Sequence, residues 1–296
     1  MVVIAGPTAS GKSAMALDLA DRCGGTIINA DASQLYADLR IVTARPDTAD
    51  EARVPHRLYG VLDGDLIANA ASWSGLARAA IAEACTAGRL PIVVGGTGLY
   101  LTSLVDGIAP VPEIDGDVRS RVRAMATADA AAALAAEDPA LAARLMPRDR
   151  QRLLRGLEVV RSTGRSLLDW QRDPAGGIAD DCDVRGMVVD VDRAALRARV
   201  VPRLEAMLAA GAQDEVAALM ARGLAADRPV LRALGVADFA ALRNGTLTRD
   251  AAIEAAATAT RQYQKRQLTW GRSQVPGWKR VTDATAAMAL LSTNRR

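Results

Sequence analysis

A glycine-rich stretch near the start of the chain has the residue types and the spacing that bind a phosphate chain. Gly6, Gly11, Lys12 and Ser13 fit the pattern G-x-x-x-x-G-K-S, which follows an apolar run and precedes a helical pattern. In such a loop the backbone N–H groups converge on phosphate oxygens at a helix N-terminus, where the helix dipole adds attraction. Lys12 is expected to neutralise terminal phosphate charge, and the Ser13 hydroxyl is expected to reach a magnesium ion. The sequence therefore predicts a phosphate-binding loop but does not say whether its ligand is a nucleotide.

Two further side chains could take part in chemistry beside this loop. Asp31 ends the apolar run "TIINAD", and Thr97 lies in the stretch "GGTGLYL". Ligands of open α/β sheets bind at the carboxyl ends of strands, so Asp31 should face the phosphate site, where a carboxylate can accept a proton from an attacking group. Asp is equally common as a turn former or helix cap after a strand, and the Thr97 hydroxyl could also be a simple cap. From the residues alone, both interpretations of each side chain stay open.

The elements that must position these groups follow an alternating pattern. Strands are predicted over Val2–Ala5, Thr26–Asp31 and Leu90–Gly96, with helices over Ser13–Arg22 and Ala70–Ala87. This alternation is typical of a parallel sheet with crossover helices. A motor-type NTPase should also show an apolar strand that ends in a magnesium-binding Asp, whereas the strand "PIVV" ends in "GGTG". The choice narrows to a small P-loop kinase, which would bind ATP, or to another user of a diphosphate.

The strand pattern stops near Gly107–Asp117, where the domain organisation changes. From there to about Asp183 the sequence is helical and rich in Ala and Arg, and a β-branched run then returns at Gly186–Asp192. We therefore predict an α/β core formed by residues 1–110 and 184–296, interrupted by a helical domain at residues 111–183. After the core resumes, helices are predicted up to the C-terminus.

Composition limits the remaining possibilities. The 296 residues carry a formal net charge of only +3, which does not by itself indicate a nucleic-acid partner. The three cysteines are far apart and form no C-x-x-C pair, so neither a disulfide framework nor a zinc module is supported. The single histidine, His56, lies in a predicted polar loop at Val54–Arg57 and excludes a multi-histidine metal site. The chain starts directly on its first strand and contains no apolar stretch near the ~20 residues of a membrane span, so we expect a cytoplasmic protein with no membrane partner.

Several distinctive motifs occur in a fixed order along the chain. They are GPTASGKS, D-x-S-Q-x-Y, T-A-[KR]-P, V-P-H and GGTGLYL, followed by "RDRQRLLRGLEVVRSTGRSL" at Arg148–Leu167, "LRALGVADF" at Leu231–Phe239 and "ATRQYQKRQLTWGR" at Ala259–Arg272. In this order they resemble the bacterial tRNA dimethylallyltransferase family, also called tRNA isopentenyltransferases or IPP transferases. The resemblance spans nearly the whole chain.

This resemblance implies both a fold and a reaction. The implied fold is a P-loop NTPase-like parallel sheet core with helices on both faces and an inserted all-helical tRNA-binding domain. Family members transfer a dimethylallyl group from dimethylallyl diphosphate to the exocyclic amino group of the adenosine 3′-adjacent to the anticodon, in tRNAs that read codons beginning with U. The implied partners are the tRNA anticodon stem-loop, dimethylallyl diphosphate and Mg²⁺, and the implied oligomeric state is a monomer.

The resemblance also assigns residues to roles. Asp31 would be the general base, Thr97 a second catalytic residue, and Ser13 the metal contact. The diphosphate would be bound by Gly6, Pro7, Thr8, Ala9, Ser10, Gly11, Lys12, Ser13 and Arg232. The tRNA would be bound by Asp31, Ala32, Ser33, Gln34, Thr97, Arg119, Gln151, Arg152, Leu153, Leu154, Arg155, Arg261, Lys265 and Arg272.

Basic stripes on two predicted helices agree with a tRNA partner. A helix over Arg148–Arg161 would align Arg148, Arg152 and Arg155, with Leu153, Leu157 and Val160 on the opposite side. Near the C-terminus, Arg261, Lys265 and Arg272 form a second stripe, opposite Tyr263 and Trp270. Such stripes suit contact with a phosphate backbone, although most charge stripes are merely solvated faces. An acceptor adenine must be extruded from its stacked loop, and the amide of Gln34 offers the donor and acceptor that an adenine edge requires.

The chain departs from the family pattern at three positions. Arg57 stands where the family usually has a second histidine, Val236 where it has an aromatic residue, and Ala237 where it has Lys or Arg. Three other functions compete with tRNA prenylation. A small-metabolite P-loop kinase would not need the helical insertion, and neither would a prenyltransferase acting on free adenine nucleotides. A non-catalytic RNA-binding protein would leave the phosphate loop unexplained.

Overall fold

A six-stranded parallel sheet forms the centre of the protein, and its strand order explains where a ligand can bind. The computed structural model describes residues 1–292. The strands are β1 Val2–Ala5, β2 Gly25–Asn29, β3 His56–Arg57, β4 Leu90–Gly95, β5 Arg185–Val189 and β6 Lys279–Val281, in the order β3-β2-β4-β1-β5-β6. Every pairing is parallel, so all six strands end at the same edge of the sheet.

Helices connect the strands of the sheet and form the long stretch between β4 and β5. They are α1 Lys12–Cys23, α2 Thr48–Arg53, α3 Ala70–Thr86, α4 Gly98–Val105, α5 Gly116–Ala124, α6 Thr127–Glu137, α7 Pro139–Ala142, α8 Arg150–Thr163, α9 Leu167–Trp170, α10 Arg193–Ala198, α11 Val200–Ala209, α12 Ala212–Ala221, α13 Val236–Arg243, α14 Arg249–Ser273 and α15 Ala284–Ser292. Short 3₁₀ helices occupy Ala32–Leu35 and Pro229–Arg232.

The sheet is apolar on both faces, as a buried parallel sheet requires. All four residues of β1 are buried, and the strand pairs with β4 through Val2 and Ile92 and with β5 through Val2 and Arg185. Helices α1 and α15 share one core cluster with alternate residues of the strands, and α3 packs against β2 and β4. Trp73 of α3 is fully buried and donates from Nε1 to the backbone oxygen of Asn29 over 2.9 Å. Helices therefore cover both faces of the sheet, and the α/β fold class is confirmed.

The chain divides into two compact units. One consists of Met1–Val105 together with the chain from Ala179 onwards, and it contains the sheet. The other is Asp106–Ile178, which is helical apart from one bridge between Ile108 and Ala175. Its core contains Leu134, Leu141, Leu153 and Leu157 among others. The structure therefore puts the helical unit five residues earlier at each end than the predicted range 111–183.

Two short edge strands replace elements that were predicted differently. His56–Arg57 was predicted as a polar loop, but it pairs with Ile27 and Ile28 as β3. The sequence predicts helix up to the C-terminus, but Lys279–Val281 pairs with β5 as β6. Both are only two or three residues long and mostly polar, and such segments are too short to show the apolar alternation that identifies a strand from sequence. Among the described residues, no helix combines the length and the apolar character that crossing a membrane would need.

Candidate active site

The predicted phosphate loop connects β1 to α1 and has the backbone shape that anion binding needs. Gly11 has φ of +91° directly before the helix begins at Lys12, a conformation that favours glycine. Ala9 also has positive φ, at +65°. A Cβ at Gly6 would lie 2.9 Å from Ser10 Oγ, so the loop passes too close to itself there for a side chain. The loop therefore presents its backbone at the N-terminus of a 12-residue helix, where anions bind.

A cavity of about 380 Å³ opens beside this loop. It lies at the carboxyl edge of the sheet, where ligands of such folds bind. The predicted site residues that line it are Thr8, Ala9, Ser10, Gly11, Lys12, Ser13, Asp31, Ala32, Ser33, Gln34 and Arg232. Gly6 and Pro7 line a second cavity of about 210 Å³ instead. The structure thus brings the loop, the Asp31 segment and Arg232 together in one place.

Lys12 and Arg203 lie close to the Asp31 carboxylate in the cavity. Burial lowers the pKa of the Lys12 ammonium; the Asp31 carboxylate opposes this shift and the Arg203 guanidinium adds to it. Burial likewise lowers the pKa of Arg203, again opposed by Asp31. Burial disfavours the charged forms of both groups, so an anion bound between them would be strongly attracted. Arg203 of α11 also lines the cavity and was missed from the sequence, because it is one of many arginines on an ordinary amphipathic helix.

Asp31 caps a short helix and also lines the cavity. Its Oδ1 accepts hydrogen bonds from Ser33 N at 3.1 Å and Ser33 Oγ at 2.7 Å, which makes it the N-cap of the 3₁₀ helix. The backbone of Asp31 is fixed in turn by the side chain of Asn29, whose Oδ1 accepts from Asp31 N at 2.8 Å. Within the described chain no hydrogen bond reaches Oδ2, so this oxygen can receive a ligand in the cavity. Capping therefore uses Oδ1 and orients the carboxylate, and it leaves Oδ2 for a ligand.

Thr97 supports the Asp31 segment from the neighbouring strand end. Its Oγ1 accepts a hydrogen bond from Ala32 N at 3.0 Å, and its own N donates to Ala30 O at 3.2 Å. The phenol of Tyr263 interacts with the side chains of Thr97 and Gln267, and burial together with the Asp31 carboxylate raises the pKa of Tyr263 to about 12. Thr97 does not itself line the cavity. The structure thus gives it a positioning contact one residue away from Asp31.

Gln34 lines the cavity with less hydrogen-bonding capacity than we predicted. Its Nε2 donates to Thr43 O at 2.9 Å and to Ala44 O at 3.0 Å. An amide nitrogen carries two hydrogens, so both donors are used in fixing its own surroundings. Only the amide oxygen remains for a base, which corrects the prediction that Gln34 offers both a donor and an acceptor.

The first predicted tRNA stripe is partly wrong. Helix α8 begins at Arg150, because the side chain of Asp149 caps it by accepting from Arg152 N, and Arg148 lies in the turn before the cap. Leu153 is only 2% exposed and belongs to the core of the helical unit, so its side chain cannot contact tRNA. Gln151, Arg152, Leu154, Arg155 and Arg119 keep at least part of their surface exposed. Arg155 lies near the buried Glu158, with a separation of 3.8 Å between Nη1 and Oε2.

The second stripe lies on α14, whose faces differ sharply. Lys265 and Arg272 are exposed, and Arg261 is paired with Glu254 at 2.9 Å. The opposite side carries Tyr263, which lines the cavity. Arg266, which sequence reasoning did not single out, also lines the cavity, with Cζ 5.3 Å from the centre of the Tyr263 ring.

The donors present suit a magnesium ion that is bound mainly by phosphate. In the described part of the chain no cluster of three His, Cys, Asp or Glu side chains could hold a metal. The Ser13 hydroxyl, however, lines the cavity at the start of α1. Mg²⁺ keeps several waters and is commonly held by one or two protein oxygens together with substrate phosphates. One hydroxyl beside a phosphate loop fits that chemistry.

The three departures from the family pattern lie in different local environments. Arg57 forms an ion pair with Glu83 at 2.6 Å on the surface of β3. Val236 starts α13 and is 1% exposed, so an aliphatic side chain fills that part of the core. Ala237 is exposed. None of the three lines the main cavity.

Comparisons with known proteins agree with this geometry. A family model described as IPP transferase matches residues 34–274. A tRNA dimethylallyltransferase from Sphingopyxis alaskensis is 56% identical over 282 residues, which cover 95% of this chain and 92% of that protein.

Solved structures give the same answer. A tRNA isopentenylpyrophosphate transferase from Bacillus halodurans shares 30% identity with a TM-score of 0.67, covering 95% of this chain and 89% of that one. A eukaryotic dimethylallyltransferase, described as acting on tRNA, shares 25% identity with a TM-score of 0.81, covering 100% of this chain and 76% of that one. The phosphate loop, the carboxylate at the strand end and these similarities have one explanation, which is that the chain belongs to the IPP transferase family.

Proposed function

We propose that the protein is a tRNA dimethylallyltransferase. It transfers a dimethylallyl group from dimethylallyl diphosphate to the exocyclic amino group of the adenosine 3′-adjacent to the anticodon, in tRNAs that read codons beginning with U. The observation that carries this proposal is the meeting of the phosphate loop, Lys12 and Asp31 in one cavity. The family to which the chain belongs supports prenyl transfer over the small-metabolite kinase that the loop alone would also allow.

The leaving group is bound by the phosphate loop. Backbone N–H groups of the loop, Lys12 and Arg203 together face the diphosphate, and their positive charge stabilises the negative charge that grows on the departing pyrophosphate. Arg232, which is exposed at the cavity wall, and Arg266 add further positive charge. Ser13 would hold Mg²⁺, which supplies further neutralisation of the phosphate oxygens when bound. Leu204 and Met207 give the same cavity an apolar wall for the dimethylallyl group.

Asp31 takes the proton that the acceptor must lose. The lone pair of an adenine amino nitrogen is delocalised into the ring, so this nitrogen is a poor nucleophile. As the new N–C bond forms and the C–O bond to the diphosphate breaks, the nitrogen becomes acidic and gives one proton to the Asp31 carboxylate. The adenosine reaches the cavity only after it leaves its stack, as enzymes that act on bases generally require.

The exposed arginines of α8 are proposed contacts for tRNA phosphates. We expect the double change of Arg152 and Arg155 to Gln to weaken tRNA binding. The slope of the logarithm of the binding constant against the logarithm of the salt concentration should become shallower by about 0.7–0.9 per lost contact, because each contact releases a counterion. The measurement is a set of tRNA titrations across a range of salt concentrations. Arg172→Gln is the matched control, because Arg172 lies in the same unit, is 75% exposed and pairs with Asp169. An unchanged salt-dependence slope in the double variant would show that these arginines form an ordinary solvated surface.

One assay separates the candidate functions. The protein is incubated with unmodified tRNA and labelled dimethylallyl diphosphate, and in a parallel reaction with γ-labelled ATP and small hydroxylated metabolites. Prenyl transfer predicts label in tRNA at the adenosine next to the anticodon and release of pyrophosphate. Label that moves only from ATP to a metabolite would support the kinase instead. Binding of tRNA without any transfer would support a non-catalytic RNA-binding protein.

The remaining parts of the proposal concern the metal, the assembly and the location. We expect chelation to slow transfer and added Mg²⁺ to restore it. A metal ion that the protein binds only through the Ser13 hydroxyl should exchange readily with the solvent. We also propose that the enzyme acts as a cytoplasmic monomer on the anticodon stem-loop. Light scattering of the free protein and of its tRNA complex measures the assembly, and a stable dimer would contradict it.

A further inference from the structure

Two buried glutamines of α14 hold one residue of the phosphate loop from both sides of its peptide. Gln264 is 3% exposed and donates from Nε2 to Thr8 O at 2.9 Å. Gln267 is 7% exposed, and its Oε1 accepts from Thr8 N at 2.8 Å. Both backbone polar atoms of Thr8 are therefore satisfied by a helix that lies more than 250 residues away in the sequence.

Gln267 makes a second contact that Gln264 does not make. Its Nε2 donates to Gly96 O at 3.0 Å, at the end of β4. A Cβ at Gly96 would lie 2.0 Å from this nitrogen, so only glycine allows the amide to approach. One side-chain amide thus joins the phosphate loop to the turn that contains Thr97.

The connection continues to the proposed base. Thr97 follows Gly96, and its Oγ1 accepts a hydrogen bond from Ala32 N, one residue beyond Asp31. From the loop to the carboxylate, the path is Thr8, Gln267, the Gly96–Thr97 peptide and Ala32, and each non-covalent step is a hydrogen bond of 2.8–3.0 Å. Removing a buried partner from such a chain leaves the other group unsatisfied and free to shift.

The loop itself needs this support. Ala9, directly after Thr8, has φ of +65°, a left-handed conformation that costs energy for a residue with a Cβ. Such backbone persists only where the surrounding structure fixes it. The amides of Gln264 and Gln267 fix the residue before it, and Arg199 Nη1 donates to Ala9 O at 3.3 Å.

We propose that Gln267 is a positioning residue that sets the distance between the diphosphate and Asp31. This inference rests on the proposed prenyl transfer. Gln267 does not line the main cavity, and it acts through Thr8 on one side and Thr97 on the other. A displacement of about 1 Å between reacting groups can cost 10²-fold in rate, so the link affects the chemical step more than substrate binding.

Three substitutions of Gln by Met on the same helix test the proposal. Gln267→Met removes the link between the loop and the Thr97 turn, whereas Gln264→Met removes only a loop contact. Gln262→Met is the control, because Gln262 is exposed on α14. We expect the single-turnover rate constant at saturating tRNA to fall about 30- to 100-fold for Gln267→Met and less than about 5-fold for Gln264→Met. The tRNA concentration that gives half of the maximal rate should stay unchanged in Gln267→Met. The Gln262 variant should match the parent protein.

Two readouts keep the inference separate from the proposed function. A single-turnover rate constant equal to that of the parent protein in folded Gln267→Met would overturn the positioning role. Equal losses of this rate constant in the Gln264 and Gln267 variants would also overturn it. Hydrogen exchange of the Thr8 amide in the substrate-free protein tests the link without any chemistry. It should be faster in Gln267→Met than in the parent protein, and unchanged exchange would also overturn the proposal. Absence of prenyl transfer by the parent protein would instead remove the proposed function, while the Thr8 exchange would still decide whether Gln267 holds the loop.

Discussion

Replacement of Asp31 by Asn slows the chemical step of prenyl transfer about 10²–10⁴-fold in our expectation, which is the range for loss of a general base. Asn keeps the shape of the side chain, and its Oδ1 can still accept the hydrogen bonds from Ser33 that cap the 3₁₀ helix. What the amide lacks is basicity, so the adenine amino group has no acceptor for its proton. Affinity for tRNA should change far less than the rate.

The measurement for Asp31 is single-turnover transfer with saturating tRNA and dimethylallyl diphosphate, beside a separate tRNA titration. Asp47→Asn is the matched control, because Asp47 also caps a helix, accepting from Asp50 N at 2.8 Å, but lies outside the main cavity. Transfer at the parent rate by Asp31→Asn would reduce Asp31 to a cap. A loss of binding in proportion to the loss of rate would make its contribution recognition of the base.

The Lys12→Ala protein should fold normally and transfer the prenyl group about 10²–10³-fold more slowly, the cost typical of removing one preorganised contact to developing charge. Burial removes water from the Lys12 ammonium and so lowers its pKa in the free enzyme. A bound diphosphate favours the charged form, and the interaction strengthens as pyrophosphate departs. Removing the side chain also relieves the burial of a cation, which is why we expect no loss of stability.

For Lys12→Ala, transfer rates measure the effect on catalysis, and thermal unfolding measures the effect on stability. Lys279→Ala is the control, since Lys279 is an exposed lysine on β6 that lines neither cavity. Near-normal turnover by a folded Lys12→Ala protein would show that the phosphate loop does not serve the reaction.

The phosphate loop and the end of β2 are the parts of the site that local sequence pattern predicts. The glycine spacing, the apolar run of β1 and the start of α1 lie in one continuous segment, so loop and flanking elements could be predicted together. Asp31 was identifiable because the end of a parallel strand is a position with a known geometric meaning. The helical insertion could be predicted because residues 106–178, which are rich in Ala and Arg, contain no β-branched alternation.

Long-range contacts are what the sequence did not disclose. Arg203 faces Lys12 and Asp31 only because α11 packs beside the loop, and no local pattern separates it from neighbouring arginines. Gln267 appears as an ordinary polar residue until Thr8 and Gly96 are brought to either side of it. Arg148 was placed on a helix because periodicity ignores caps, and the Asp149 side chain begins that helix two residues later.

The distance in sequence between Thr8 and its glutamines has a consequence for synthesis of the protein. The loop is translated before its two supports, which follow 256 and 259 residues later. At about 5–20 residues per second, the nascent chain waits on the order of 10–50 s before α14 emerges. The first strand also waits for β5, which is translated after the whole helical insertion. A growing chain therefore carries the phosphate loop without these two supports until α14 has been translated, and we expect a chain that terminates before Gln264 to contain the motif without the supported loop.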